Sequence, residues 1–428
     1  MRQGISSRIS EALAETKGQT TLDKAQSAQS RAHGRPERLA RPQFMLVPSL
    51  ACPANCAYCF SSRDGPSMAP EVVDEALEFV SRVSKETHQE KIRATLHGGE
   101  PLVAGHGILR RILEGLRARF GSGGYEVALQ SNLWLLDDEF CELFAEHNVE
   151  IGTSLDGPEH ITDAQRGEGY FERTMRGIKL AREHGLHVGC IATFTPASAV
   201  RWREVAEFFL AQRLSFSLQP CVVRMGDPDS SYSLPPGEFA DALVRTFEFY
   251  IAHRHEMIVP SLDAMCWGAS FGESPVCTFS NCLGMFLAVD PHGGIYPCER
   301  FCGMTPYRLG SLSGRPTFAE LLNSPIARRM AERQSRVRQA CAGCEHLDYC
   351  LGGCPYNAWA GTLAGVKDPY CEAYHRVFDH IRRRVVQEMH SKENVAAVAQ
   401  RPFAQDGHPL LRSGPLSELL QRSVRTGR

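Results

Sequence analysis

Residues 44–60 read FMLVPSLACPANCAYCF: a short β-rich run, then three cysteines, Cys52, Cys56 and Cys59, at C-x3-C-x2-C spacing. The run FMLVPS (44–49) is apolar and β-prone, the pattern of a buried strand, so the cysteines stand in the loop that follows it. Three chemistries compete for such a loop. A structural zinc site closes its shell with four nitrogen or sulfur ligands; this stretch has three thiols and no histidine, so zinc would need a distant fourth partner. A disulfide framework would use the thiols in pairs. An iron–sulfur cluster held by three thiolates leaves one iron open to a small molecule.

Outward from this loop the chain alternates. Further β-rich runs stand at IRATLH (92–97), YEVALQS (125–131), VEIGTSL (149–155), HVGCIATF (187–194) and LSFSLQ (214–219). Between and after them lie helical patterns with apolar residues at i, i+3, i+4 spacing: PEVVDEALEFVSRV, HGILRRILEGLRARF, DEFCELFAEH, WREVAEFFLAQ and GEFADALVRTFEFYIAHR. Repeated strand–helix units predict a parallel sheet with right-handed crossovers. About six units are too few for a closed eight-unit barrel, so the expected fold is α/β, a partial (βα)6 TIM-like barrel. Ligand loops in such folds follow the C-terminal strand ends. The cysteine loop follows the first strand, GGEP (98–101) the second and Ser131-Asn132 the third, while the fourth runs into SLDG (154–157). Four polar or glycine-rich segments therefore converge on one rim.

The chain has 428 residues, 43% hydrophobic and 22% charged, with a formal net charge of −2. That is globular composition, and the charge gives no reason to expect a nucleic-acid or membrane surface. No apolar run approaches the roughly 18 residues that span a bilayer, and the first residues lack the apolar core of a secretory signal; the expected location is the cytoplasm. Sixteen cysteines are many. In a reducing compartment they point to metal or redox chemistry rather than disulfides. Three stand near residue 55 and nine between Cys277 and Cys371, while Cys141 and Cys190 fall in apolar patterns and read as small buried hydrophobes. Residues 1–40, poor in large apolar groups, are expected to be a flexible arm, and 392–428 a flexible tail.

Taken together, Cys52, Cys56, Cys59, the aromatic Tyr58 before the last of them, and GGEP at strand spacing resemble the radical SAM superfamily, over roughly residues 43–225 and within a barrel domain at 41–255. The resemblance implies that the three thiolates hold a 4Fe-4S cluster and that its open iron takes the amino and carboxylate groups of S-adenosylmethionine (AdoMet). One-electron reduction then cleaves AdoMet to a 5′-deoxyadenosyl radical. It further implies AdoMet contacts at Gly98, Gly99, Glu100 and Pro101 for the amino group, at Ser131 and Asn132 for the ribose, at Ser154 and Arg166 for ribose and carboxylate, and at Tyr58 against the adenine. Glycines let backbone approach a ligand closely. Glu100 could accept from the ammonium or cap its turn, and packing is the expected role of His97.

Beyond residue 270 the spacing Cys277-x4-Cys282, DPHGGIYPC ending at Cys298, then Cys341-x2-Cys344-x5-Cys350-x3-Cys354 and Cys371 resembles a SPASM domain, expected over 270–380. Read alone, residues 341–354 also fit a zinc ribbon. Eight thiolates divide into two complete four-cysteine shells. The resemblance pairs Cys277, Cys282, Cys298 and Cys354 around one auxiliary 4Fe-4S cluster, and Cys341, Cys344, Cys350 and Cys371 around the other. Cys302 is left over and reads as a buried residue. Glu299 follows Cys298 where sulfatase-maturating relatives use an aspartate to take the substrate proton; a glutamate can do similar work.

These readings imply an enzyme that abstracts hydrogen from a residue of a peptide or protein substrate, with a reductant such as flavodoxin or ferredoxin as its second partner. Maturation of a ribosomally made peptide is the preferred expectation and formylglycine formation in a sulfatase the alternative. A non-catalytic iron–sulfur relay and a zinc-binding interaction module are the rivals of other classes.

Overall fold

The computed structural model describes residues 41–390, apart from 62, 222–223, 227–230, 273, 275 and 362–364. The arm expected at 1–40 and the tail expected at 392–428 lie outside the described residues. Six parallel strands follow one another in sheet order: β1 (Gln43–Ser49), β2 (Ile92–Gly98), β3 (Tyr125–Ser131), β4 (Glu150–Ser154), β5 (Val188–Phe194) and β6 (Phe216–Pro220). Each matches a run expected from the sequence, and alternate side chains of β3 and β5 are buried, as a pleated strand in a layered core requires. The sheet has two ends rather than a closed ring, so the barrel is partial.

The crossover helices bury narrow apolar stripes. In α1 (Pro70–Glu86), Val73, Ala76, Leu77, Val80 and Val83 are buried; in α2 (Gly105–Phe120) they are Leu109, Ile112, Leu113 and Leu116. This i, i+3, i+4, i+7 spacing turns one face of each helix onto the sheet. Asp137 caps α3 (Asp138–Glu146) by accepting the Phe140 amide at 2.9 Å, the ordinary remedy for a helix's unpaired first amides. Two more helices, α4 (Glu159–Arg166) and α5 (Tyr170–Glu183), fill the next crossover. They are followed by α6 (Trp202–Gln212), α7 (Pro236–Ala252) and α8 (Pro260–Phe271).

The sheet does not stop at the barrel. Strand β7 (Phe286–Val289) lies parallel to β1 on its free side, pairing Gln43 with Phe286 through Leu46 with Val289. It then turns into the antiparallel β8 (Gly294–Tyr296), and β9 (Gly310–Ser311) completes nine strands. The turn is built by DPHGG: Asp290 Oδ1 accepts the amides of His292 and Gly294 at 3.0 and 2.8 Å, and Gly293 takes φ +76°. The β1–β7 pairing thus joins the barrel domain expected at 41–255 to the domain expected at 270–380, and the cysteine-rich part grows out of the barrel's own sheet. After α9 (Pro325–Ala340), helix α10 (Cys371–His390) returns to the barrel. There Arg376 pairs with Asp241, and His380 and Arg384 with Glu248 on α7. No helix among the described residues is long and apolar enough to cross a membrane.

Candidate active site

The cysteine loop is fixed from both sides. Its backbone is held where the Cys52 amide donates to Arg63 O at 3.0 Å and the Ala57 amide to Gln165 O at 3.0 Å. From below, the end of β2 supports it: the Gly99 amide donates to Ser49 O at 3.0 Å and the Glu100 amide to Ala51 O at 2.8 Å. A Cβ on Gly99 would sit 2.2 Å from Leu50 O and 2.5 Å from Ala51 O, and one on Gly98, at φ +139°, 2.5 Å from Ser49 O. The close approach that needs these glycines is therefore to the chain's own loop. Gly99→Ala should lower stability by about 1–3 kcal/mol, the usual cost of overpacking, and reduce iron retained after reconstitution. Calorimetry and iron analysis check this; a variant with unchanged melting and iron would contradict it.

Glu100 is buried, at 1% exposure. It caps its turn by accepting the Leu102 amide at 3.0 Å, and it also takes the Ser131 hydroxyl at 2.8 Å and the Asn132 amide at 2.7 Å. Burial pushes its carboxyl up to about 7, against the pull of these donors. Pro101 begins the short helical turn that follows. The Ser131 hydroxyl, engaged by Glu100, also accepts the Leu133 amide at 2.9 Å. Of the two expected roles for Glu100, the structure shows the cap; Ser131 and Glu100 together lock the ends of β2 and β3. Asn132 turns its amide nitrogen toward Cys52 Sγ at 3.6 Å. His97 accepts from the Gly98 amide at 2.7 Å.

The centre of the opposite wall is Asp156, within SLDG, which the sequence did not single out. Its side chain is fully buried and accepts Arg166 twice, Nε at 2.9 Å and Nη2 at 2.8 Å. Gln165 adds a bond at 2.7 Å, the Tyr58 hydroxyl one at 2.8 Å and the Thr193 amide one at 2.9 Å. Arg166 thus ends α4 with two of its nitrogens held, while Nη1 points at Cys56 Sγ, 3.9 Å away. The guanidinium lies 5.2 Å from the ring centres of both Tyr58 and Tyr170, a cation–π arrangement. Burial raises the Cys52 thiol to about 11; burial also raises Cys56, with Arg166 pulling the other way.

One cavity of about 380 Å³ joins these groups to the second cysteine set. Cys52, Cys56, Cys59, Gly98, Gly99, Glu100, Ser131, Asn132, Ser154 and Arg166 line it on the barrel side, and Cys277, Cys282, Cys298, Cys354 and Glu299 on the other. Burial lifts all four of those distal thiols, and a neighbouring thiol of the same group lifts each of Cys277, Cys282 and Cys298 further. Arg300, also unforeseen, bridges the two sides. It sits 5.8 Å from the Phe60 ring and 5.6 Å from the Tyr356 ring, and donates to Asn357 Oδ1 at 2.9 Å. Burial opposes its charge, but Cys354, Glu299 and Cys298 outweigh that and raise its pKa. Glu299, with 13% of its side chain exposed, stands 4.0 Å from the Arg300 guanidinium.

Cys341, Cys344, Cys350 and Cys371 are grouped separately, burial and one another's charge raising Cys341, Cys350 and Cys371. Buried Asp368 links the two groups, accepting the Cys354 amide at 3.0 Å while its own carbonyl takes the Cys371 amide at 3.0 Å. Cys302 stands apart from both, its thiol 3.9 Å from Cys298 O and raised by burial and by Asp290. Cys141 and Cys190 are buried, at 0% and 4% exposure.

The donor set fits iron–sulfur chemistry. Three thiols open onto a cavity with room for a further ligand, and two separate groups of four can each close a shell. The arrangement defines an iron–sulfur enzyme built on a partial barrel. The model of the radical SAM superfamily matches residues 46–208, and that of the SPASM iron–sulfur cluster-binding domain residues 277–345. The chain belongs to the radical SAM superfamily and carries a SPASM domain; it is an enzyme whose cofactors are AdoMet and 4Fe-4S clusters. It is 39% identical to an uncharacterized protein of Methanothermobacter thermautotrophicus, over 51% of this chain and 83% of that one. To the serine-type anaerobic sulfatase-maturating enzyme of Bacteroides thetaiotaomicron it is 24% identical, over 80% and 90%. Among solved structures it resembles native anSMEcpe with bound AdoMet and Cp18Cys peptide, at TM-score 0.72 and 22% identity, covering 81% of this chain and 98% of that one.

Proposed function

We propose that this enzyme oxidises a side chain of a peptide or protein substrate by abstracting a hydrogen atom in the cavity between the two cysteine groups. The observation that carries the reading is the shared cavity itself. Three thiols, the expected AdoMet contacts other than Pro101, Glu299 and four further thiols face one space, so a residue inserted there would meet hydrogen-abstracting chemistry on one side and a base on the other. When bound, AdoMet and the reduced cluster on Cys52, Cys56 and Cys59 supply a 5′-deoxyadenosyl radical. The chain's own residues hold and orient. Asn132 and Arg166 direct N–H groups at two of the three thiols, Asp156 fixes Arg166, and Gly98 and Gly99 let the loop lie on the strand end. On the far side Glu299 is placed to hold the proton that the substrate gives up. In this reading Cys277, Cys282, Cys298 and Cys354 hold the nearer auxiliary cluster and Cys341, Cys344, Cys350 and Cys371 the farther one, and these clusters would take the one electron that the substrate radical loses along with that proton. An external one-electron donor such as flavodoxin or ferredoxin supplies the reducing electron.

The serine-type sulfatase-maturating relative supports a serine side chain as the target, which moves the balance from a ribosomally made peptide toward a sulfatase-like substrate. A glutamate at position 299, where the family resemblance leads one to expect aspartate, favours the ribosomal-peptide reading, because one more methylene alters the reach of the base. Anaerobically reconstituted protein given AdoMet, reductant and peptides carrying the sulfatase motif tests this. The mass change of aldehyde formation is expected; AdoMet cleavage with every such peptide left intact would return the substrate to the ribosomal class. Glu299→Gln should lower product formation by about 100- to 10,000-fold, the usual share of a general base, while 5′-deoxyadenosine still forms. Mass spectrometry of peptide and nucleoside together checks it, and an unimpaired product rate would remove Glu299 from the chemistry.

A further inference from the structure

We propose that His346, His375 and Asp379 form a binding site for one divalent transition-metal ion of the zinc class, outside the iron–sulfur chemistry. His375 and Asp379 stand four residues apart on α10, hence on one face of it, with His375 Nδ1 3.2 Å from Asp379 Oδ2. His346, ahead of the short helix Leu347–Cys350, reaches the same carboxylate, its Nε2 3.0 Å from Asp379 Oδ1. The three ligand atoms lie within 4.8 Å of one another, and the two imidazole rings meet edge-on with centroids 4.6 Å apart.

An independent observation concerns His346 itself. It is 1% exposed, and although Asp379 Oδ1 stands 3.0 Å from its Nε2, that nitrogen makes no well-formed hydrogen bond. A buried polar atom left so costs about 1–3 kcal/mol, and a cation placed between the three atoms would satisfy it. The other ring nitrogen is engaged by the Tyr349 hydroxyl, the arrangement by which a second group fixes a metal-binding imidazole's tautomer and direction. His375 is 53% exposed and Asp379 36%, which gives an ion its way in and leaves room for water as a further ligand. The neighbouring cation Arg382 is held by Glu345 at 2.9 Å. Two imidazoles and one carboxylate suit zinc-like ions better than magnesium or calcium, which favour oxygen shells.

The ion would act as a staple. Helix α10 begins at Cys371, and His346 lies between Cys344 and Cys350, so it would pin the helix to the loop that carries the outer thiol group. Equilibrium dialysis of the fully reconstituted holoprotein against micromolar Zn2+, without oxygen, tests this. A single equivalent of zinc beyond the iron is expected. His375→Ala should weaken its binding by at least about 100-fold and Tyr349→Phe by about 10-fold, with iron content and cluster spectra unchanged. Asp379→Asn serves as a second ligand variant should the first misfold, and anomalous scattering at the zinc edge should place the ion among the three residues. Wild-type holoprotein that takes up no zinc, or variants that bind it as tightly as wild type, would overturn the proposal.

Discussion

Replacing Cys52, Cys56 and Cys59 together by alanine should remove about four of about twelve irons per chain, one cubane of three, and abolish 5′-deoxyadenosine formation. The two four-thiol groups should keep their iron, because none of their residues takes part in the loop between β1 and α1. The loop's fold should also survive. Its backbone bonds to Arg63 and Gln165 and the strand end beneath it use main-chain atoms, which the substitutions leave alone. Iron analysis and chromatography of reactions with dithionite and AdoMet check both halves. Loss of all iron would mean that the three sites are not independent, and undiminished AdoMet cleavage would mean that the chemistry lies elsewhere.

The second large effect concerns a residue that touches no expected cofactor atom. Asp156→Ala should destabilise the protein by about 3–5 kcal/mol, the usual cost of leaving one partner of a buried ion pair alone. The magnitude follows from the surroundings: Asp156 is wholly buried, Arg166 has 7% of its side chain exposed, and the carboxylate also takes Gln165, Tyr58 and the Thr193 amide. Asp156→Asn keeps the shape and part of the hydrogen bonding, so it should cost less stability. Both variants should bind AdoMet more weakly, since Arg166 would no longer be held with Nη1 toward Cys56. Urea unfolding and AdoMet titration measure the two effects. An alanine variant as stable as wild type would show that the pair is solvated rather than buried.

What the sequence revealed follows from how local each signal is. The six barrel strands were legible because each is a compact β-rich run, and the helix at 202–212 because its apolar spacing matches its full length. The site loops were legible because parallel strands with crossovers place functional loops at one end. Strand β7 was not foreseen: FLAV is only four residues long, and what makes it a strand is β1, some 240 positions earlier in the chain. Asp156 and Arg300 were missed for a related reason. Each is an ordinary charged residue in sequence, and only burial beside Arg166 in one case, and between Phe60 and Tyr356 in the other, gives it a task. Gly98 and Gly99 were recognised for the right property, tolerance of close approach, but the approaching atoms are Ser49, Leu50 and Ala51 carbonyls. Glu100 likewise shows its bonds to β3 only once β2 and β3 lie side by side.

Hydrogen abstraction by this enzyme would depend on an open cluster position, held by the first three cysteines, at which AdoMet binds. Electron paramagnetic resonance of the reduced holoprotein, recorded with and without AdoMet, addresses that position most directly. The signal that disappears in the Cys52/Cys56/Cys59 triple alanine variant should change shape on adding AdoMet, while the signals of the eight-thiol region stay as they were. A spectrum that AdoMet leaves unaltered, or one whose AdoMet response persists in the triple variant, would contradict it.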